Sequence, residues 1–239
     1  MMVSYYLVPA VVACTQLFRL LDKVIAAEGY HKPYYAVHVI HNMAMVVLTA
    51  PDVWYAFTLE NAMPMNWAAI LMCYCLHFYH VIDYYRVFRF DDWLHHGLMI
   101  GIALPLGSLV RAGPLMGCNL FFTTGLPGAI SYGLLFCNRN GIIESATAKY
   151  YNAATNLWIR APGCVAQATL SVSYVLIATN LTTFEIVSAL LIAAITVWNG
   201  LYFMEQALRA KWDAQANANN RDRDLEPRRV GAAATAAET

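Results

Sequence analysis

The chain has 239 residues, of which 59% are hydrophobic and 13% charged, and its formal net charge is zero. The charged share is roughly half that of soluble domains, and the apolar residues fall in long runs rather than in alternation, which excludes an ordinary soluble domain and indicates membrane helices. No concentrated basic face lies outside the C-terminal tail, so nucleic-acid binding has no support.

Seven segments approach the ~20 residues that cross about 30 Å of hydrocarbon. They lie near 2–21, 34–55, 65–84, 93–110, 113–137, 157–179 and 184–207. The expected fold is therefore all-α, a polytopic transmembrane bundle of about seven helices around a lipid-accessible cavity. Residues 1–29 form an N-terminal membrane helix and first loop, 30–208 the main membrane domain, and 209–239 a tail. The first segment does not read as a cleavable signal peptide. Nothing positive precedes its apolar stretch, whereas Arg19 and Lys23 follow it. The tail from about Asp213 is Ala, Asn, Arg and Asp with almost no large apolar residue, and is expected to be disordered.

The basic residues test this count. With seven spans, Arg19, Lys23, Lys32, Arg86, Arg89, Arg139, Lys149 and the arginines and lysine of the tail share one side, and Arg160 is placed with them. Only Arg111 falls on the other. Positive residues mark the cytosolic face, so the N-terminus is expected outside or in a lumen and the C-terminus in the cytosol. All six cysteines lie in apolar segments without a metal or disulfide spacing, and read as small core residues.

This topology places the histidines by depth. His38 and His41 fall one and two turns into the second span, and His80 and His77 one and two turns inside the exit of the third, where Asp83 stands. His95 and His96 open the fourth. The three-residue spacings put His38 with His41, and His77, His80 and Asp83, on or near one face of their helices. Three helices are thus expected to line a polar cavity at the cytosolic leaflet with His41, His77 and His80. One member of the adjacent pair faces its centre, and the other orients it or bonds a neighbour. His31 and His38 read rather as interfacial histidines. Gly125-Leu126-Pro127-Gly128 interrupts the fifth span, where a proline kinks the helix and frees carbonyls, which suits either a cavity wall at Pro127 or a packing kink. Arg160, before Pro162, reads either as a phosphate or cofactor contact, or partner of Asp83, or as a snorkelling interface residue.

Asp83, His95 and His96 are the candidate catalytic residues, and three chemistries fit them. A neutral imidazole is a general base, an imidazole can accept an acyl group, and several histidines with a carboxylate can hold a metal. The last would make a membrane hydrolase or hydroxylase, although the histidine spacings lack a His-x-x-x-His, and no metal is expected.

At Asp83, the short charged loop and His95-His96 the chain resembles the TLC family of membrane proteins, related to TRAM, Lag and CLN proteins. The family signature is an aromatic-rich helix ending in an aromatic residue and Asp, followed about a dozen residues later by His-His. Here those positions are Tyr79, Asp83, His95 and His96, and the resemblance covers about 30–208. It implies a helical bundle enclosing a lipid-accessible cavity, with Tyr79 near the substrate, and an endoplasmic reticulum or Golgi location. Ceramide synthases of the family join an acyl group from acyl-CoA to a sphingoid base, which would make His95 or His96 the base or acyl acceptor and acyl-CoA a substrate rather than a resident cofactor. Those synthases carry acidic residues on the helix after the pair. Cys118 through Tyr132 has none, which places this chain nearer the broader TLC-domain proteins that bind membrane lipids or acyl chains and act in lipid homeostasis.

Overall fold

The computed structural model describes residues 7–59, 63–110 and 113–237, with side chains through Ala218. Arg111, the start of the first expected span and the side chains of Arg221, Arg223, Arg228 and Arg229 lie outside the described residues. Among the described residues ten α-helices follow in order: α1 (Leu7–Ala27), α2 (Tyr34–Phe57), α3 (Trp67–Tyr84), α4 (Phe90–Leu98), α5 (Leu104–Leu109), α6 (Pro114–Leu120), α7 (Leu126–Arg139), α8 (Ser145–Thr155), α9 (Ala161–Ile177) and α10 (Thr183–Ala237). There is no strand among the described residues. The described part of each expected span falls mostly on helical backbone. Three helical stretches, Tyr34–Phe57, Pro114–Arg139 and Thr183–Ala218, are long and apolar enough to cross a membrane.

The sequence dictates where several helices start. Asn66 caps α3 by accepting from the Ala69 N–H at 3.2 Å, while its amide donates to the Leu48 carbonyl and to Asp52 at 2.8 and 2.7 Å. Asp92 closes the first turn of α4 by accepting from the Arg89 N–H at 2.9 Å. Asp91 and Asp92 also place negative charge at the positive end of that helix.

Three expected spans are less regular than the hydropathy implies. Met99–Ala103, Phe121–Gly125 and Asn156–Arg160 are π-helical, each joining two α-helices end to end, and each is followed at the second position of the next helix by a proline: Pro105, Pro127 and Pro162. A proline lacks the N–H for the carbonyl four residues back, and its ring presses on that carbonyl. The wider π-turn moves the carbonyl aside. Pro51 sits inside continuous α2 without such a turn, so a proline alone does not force one. The sixth helical stretch starts at Ser145, through α8 and a π-turn, rather than near 157. The tail expected to be disordered is helical in its backbone to Ala237. Its Ala, Gln and Arg content is compatible with helix once α10 has supplied the costly first turns.

The helices form a ring. α3 adjoins α2, α2 packs on α6 and α7, α7 on α8, and α9 and α8 on α10. α10 returns to α5, which meets α3, while α1 stands outside against α3 and α2. Around an apolar core that includes Met45, Ile70, Leu104 and Leu120, large apolar side chains also face outward and polar ones inward. Val8, Val12, Leu20, Met43, Val47, Trp54, Leu176, Val187 and Leu191 are exposed, whereas His41, Asn42, Thr49, Asn119 and Gln167 are buried. Side chains inside bond one another across helices. The Asn119 amide donates to Gln167 at 3.2 Å and to Thr196 at 2.5 Å, and that of Gln167 donates to Ser171 at 2.9 Å and to the Leu115 carbonyl at 3.2 Å. Small residues let the backbones approach.

Gly128 on α7 is one such contact. A methyl group there would lie 2.5 Å from the Asn42 amide nitrogen, and Asn42 is pinned because its carbonyl accepts from His41 Nδ1 at 2.9 Å and Thr124 Oγ1 at 3.1 Å. Gly128→Ala should therefore destabilise the detergent-solubilised protein by about 1–3 kcal/mol, read as a lower thermal unfolding midpoint. Gly133→Ala, whose new methyl meets only Val39 at 3.9 Å, should leave the midpoint nearly unchanged.

Candidate functional site

The ring encloses a cavity of about 410 Å³ that includes walls from α2, α3, α4, α7, α8 and α10. His38, His77, His80, His95 and His96 line it, together with Tyr34, Tyr132 and Arg160. All three π-turns reach it, through Met99, through Thr123 and Thr124, and through Asn156 and Arg160. π-turns occur often where a backbone is shaped for function.

Hydrogen bonds fix two of the rings. His77 Nδ1 lies 2.7 Å from the Cys73 carbonyl and His38 Nδ1 2.7 Å from the Tyr34 carbonyl. A carbonyl only accepts, so both Nδ1 atoms carry hydrogen, and in the neutral rings Nε2 keeps its lone pair. His80 Nδ1 and His96 Nε2 are 3.0 Å apart. One donates to the other, so this bond holds a single proton that can sit at either end. The His96 ring stacks on Phe88 at 4.8 Å, and its Nδ1 is buried without a partner. His95 faces the His77 ring at 5.5 Å and Phe203 at 6.1 Å.

Arg160 supplies the positive charge of the inner wall. Its guanidinium donates to the Thr123 carbonyl at 2.9 Å and lies 4.9 Å from the Phe203 ring centre. Thr123 is four residues before Pro127, so its carbonyl is the one the proline leaves without a helical donor. Arg160 thus satisfies a backbone group of the neighbouring π-turn and is buried rather than snorkelling.

The sequence-predicted site is assembled in part. His77, His80, His95, His96 and Arg160 meet in one cavity, and both members of the adjacent pair line it rather than one alone. Asp83 does not join them. It accepts two bonds from Arg19 Nε at 2.9 and 3.0 Å and ties α3 to α1, so it is also not the partner of Arg160. His41 is fully buried toward Phe18, with ring centres 5.8 Å apart. The turn from His38 to His41 carries the side chain off the wall, so His38, read as interfacial, takes the place expected of His41. Tyr79 is buried between Phe18 and Tyr84, at ring distances of 6.2 and 6.0 Å, in the α1–α3 packing. Pro127 is buried beside the cavity and acts through its backbone, while Gly128 reaches the wall. His31 is exposed in the first loop, where its N–H donates to Asn140 at 2.8 Å. Tyr132, Ser131, Asn156 and Asn199 line the cavity without having been singled out; isolated polar residues in apolar runs were the available signal.

No group of three or more His, Cys, Asp or Glu side chains among the described residues is arranged to hold a metal ion. Compared with models of known families, with curated proteins and with solved structures, the chain shows no match.

The Arg160 contact can be measured by a double-mutant cycle. Arg160→Met alone leaves the Thr123 carbonyl unpaired, whereas with Pro127→Ala the new backbone N–H at 127 can take it. The two substitutions should couple by about 1 kcal/mol in unfolding free energy. Additivity within roughly 0.5 kcal/mol would show that the contact contributes no stability.

Proposed function

We propose that this chain is a seven-span membrane protein of the TLC type that binds lipid or acyl chains in its histidine-lined cavity and takes part in membrane lipid homeostasis. The observation that carries this reading is the meeting of five histidines and Arg160 in one cavity of about 410 Å³, inside helices whose outer faces expose large apolar side chains. That volume lies in the range of small-molecule sites. Polar residues inside such a bundle are costly and mark a ligand or reaction path. The order Tyr79, Asp83, His95, His96 supports the family assignment. The distribution of Lys and Arg supports a cytosolic C-terminus, and the endoplasmic reticulum or Golgi is the compartment that the family resemblance implies. Deletion should change the acyl-chain profile of the cell's lipids, measured by mass spectrometry, and an unchanged profile would count against the proposal.

A second reading is favoured by the fixed tautomers. With Nδ1 of His77 and His38 bound to carbonyls, two Nε2 lone pairs are available as bases, and His95 lies against His77. In an acyl-CoA-dependent N-acyltransferase an imidazole would take the proton of a sphingoid amine as its nitrogen attacks the thioester carbonyl. The C–N bond forms, the C–S bond breaks, and the proton passes to the departing thiolate. Purified protein should then consume acyl-CoA with a sphingoid base. His95→Ala/His96→Ala should lower turnover by about 10²–10⁴-fold, while Asp83→Ala, on the α1 side of α3, should leave it within about twofold. Turnover surviving that double substitution would exclude His95 and His96 as the base, and turnover that also survives His38→Ala/His77→Ala would exclude this mechanism.

A further inference from the structure

Arg160 is a cation without an anion. The residue is 8% exposed. One bond goes to a carbonyl and one face to Phe203, while Nε is buried with no partner. The ion pairs found among the described residues join other residues, Arg19 to Asp83 and Arg209 to Glu205. Asp91 and Asp92 line the cavity, and neither pairs with Arg160. Asp91 accepts from the Tyr202 hydroxyl at 2.6 Å and Asp92 from the Arg89 N–H. A carbonyl and a ring face offer partial negative charge, and neither neutralises a guanidinium. Buried charges require pairing, most of all in a membrane bundle.

Other wall groups are unpaired in the same way. Ser131 Oγ, which can donate to an anion, is buried without a partner, and the unpaired side-chain oxygens of Asn156 and Asn199 can accept only from a hydroxyl or protonated part of a headgroup. All three residues line the cavity with Arg160. We propose that Arg160 binds an oxyacid anion, the carboxylate or phosphate end of a single-chain amphiphile, with the hydrocarbon lying along the apolar wall of Leu76, Met99 and Leu135. Arg is suited to this because its fork matches two oxygens of either group. This inference rests on the cavity being a lipid site and adds the charge of the headgroup.

The test uses the full chain in nanodiscs of neutral lipid and two pairs of probes, each pair differing in the anion: oleate against oleyl alcohol, and 1-oleoylglycerol 3-phosphate against 1-oleoylglycerol. Wild type should bind the anionic member of at least one pair about tenfold or more tightly, and the pair that shows the preference identifies carboxylate or phosphate. Arg160→Gln should erase the preference, and Arg160→Lys should keep part of it. Equal binding within both pairs by wild type overturns the anion site while leaving lipid binding intact. Binding of none of the four overturns the lipid reading as well. A folded Arg160→Gln protein that keeps the preference overturns the assignment to Arg160. If that variant does not fold, the wild-type comparison and Arg160→Lys decide.

Discussion

A proline within a membrane-type helix leaves a carbonyl that something else must bond, and in this chain Arg160 bonds the one left by Pro127. That contact joins the π-turn between α8 and α9 to the π-turn between α6 and α7. It draws a guanidinium inward to the level of Phe203. The two π-turns also meet closely beside it, where Gly163 leaves no room for a side chain against Phe122. An interior that is costly to build is held open by a bond that also charges it.

The surrounding packing follows from the same constraint. In lipid, a hydrophobic interior gives helices no reason to associate, so association depends on close approach and on polar contacts between helices. The Asn119–Gln167–Thr196 network beside the cavity meets that need with its donors engaged, whereas several cavity groups are left unpaired. The network is bonded to protein throughout, whereas on the cavity wall Ser131, Asn156, Asn199 and Arg160 each keep a buried polar atom without a partner.

Much of this was legible from spacing. Helical periodicity and depth brought His77, His80, His95 and His96 together, because a residue's height along a membrane helix follows from its distance to the helix end. The rotation of each helix about its own axis was not legible. That rotation decides that His38 and not His41 faces the cavity, and that Asp83 faces Arg19 on α1. An ion pair between residues 64 positions apart leaves no periodic trace in a single sequence. Pro127 announced a break, yet Pro51 is the same residue in an unbroken helix, so the π-turns depend on tertiary packing rather than on the proline alone.

The histidines divide by what their inner nitrogens touch. His38 and His77 are locked by carbonyls of their own helices and offer lone pairs of fixed direction. His80 and His96 share one proton between α3 and α4, so a proton gained at the far nitrogen of one ring, passage of the shared proton and loss of a proton from the far nitrogen of the other exchange which ring presents a lone pair and which an N–H. A proton taken up by one ring can therefore be handed across a helix boundary without either ring leaving its place. Together with the fixed charge of Arg160, this gives the cavity adaptable and permanent polar groups side by side.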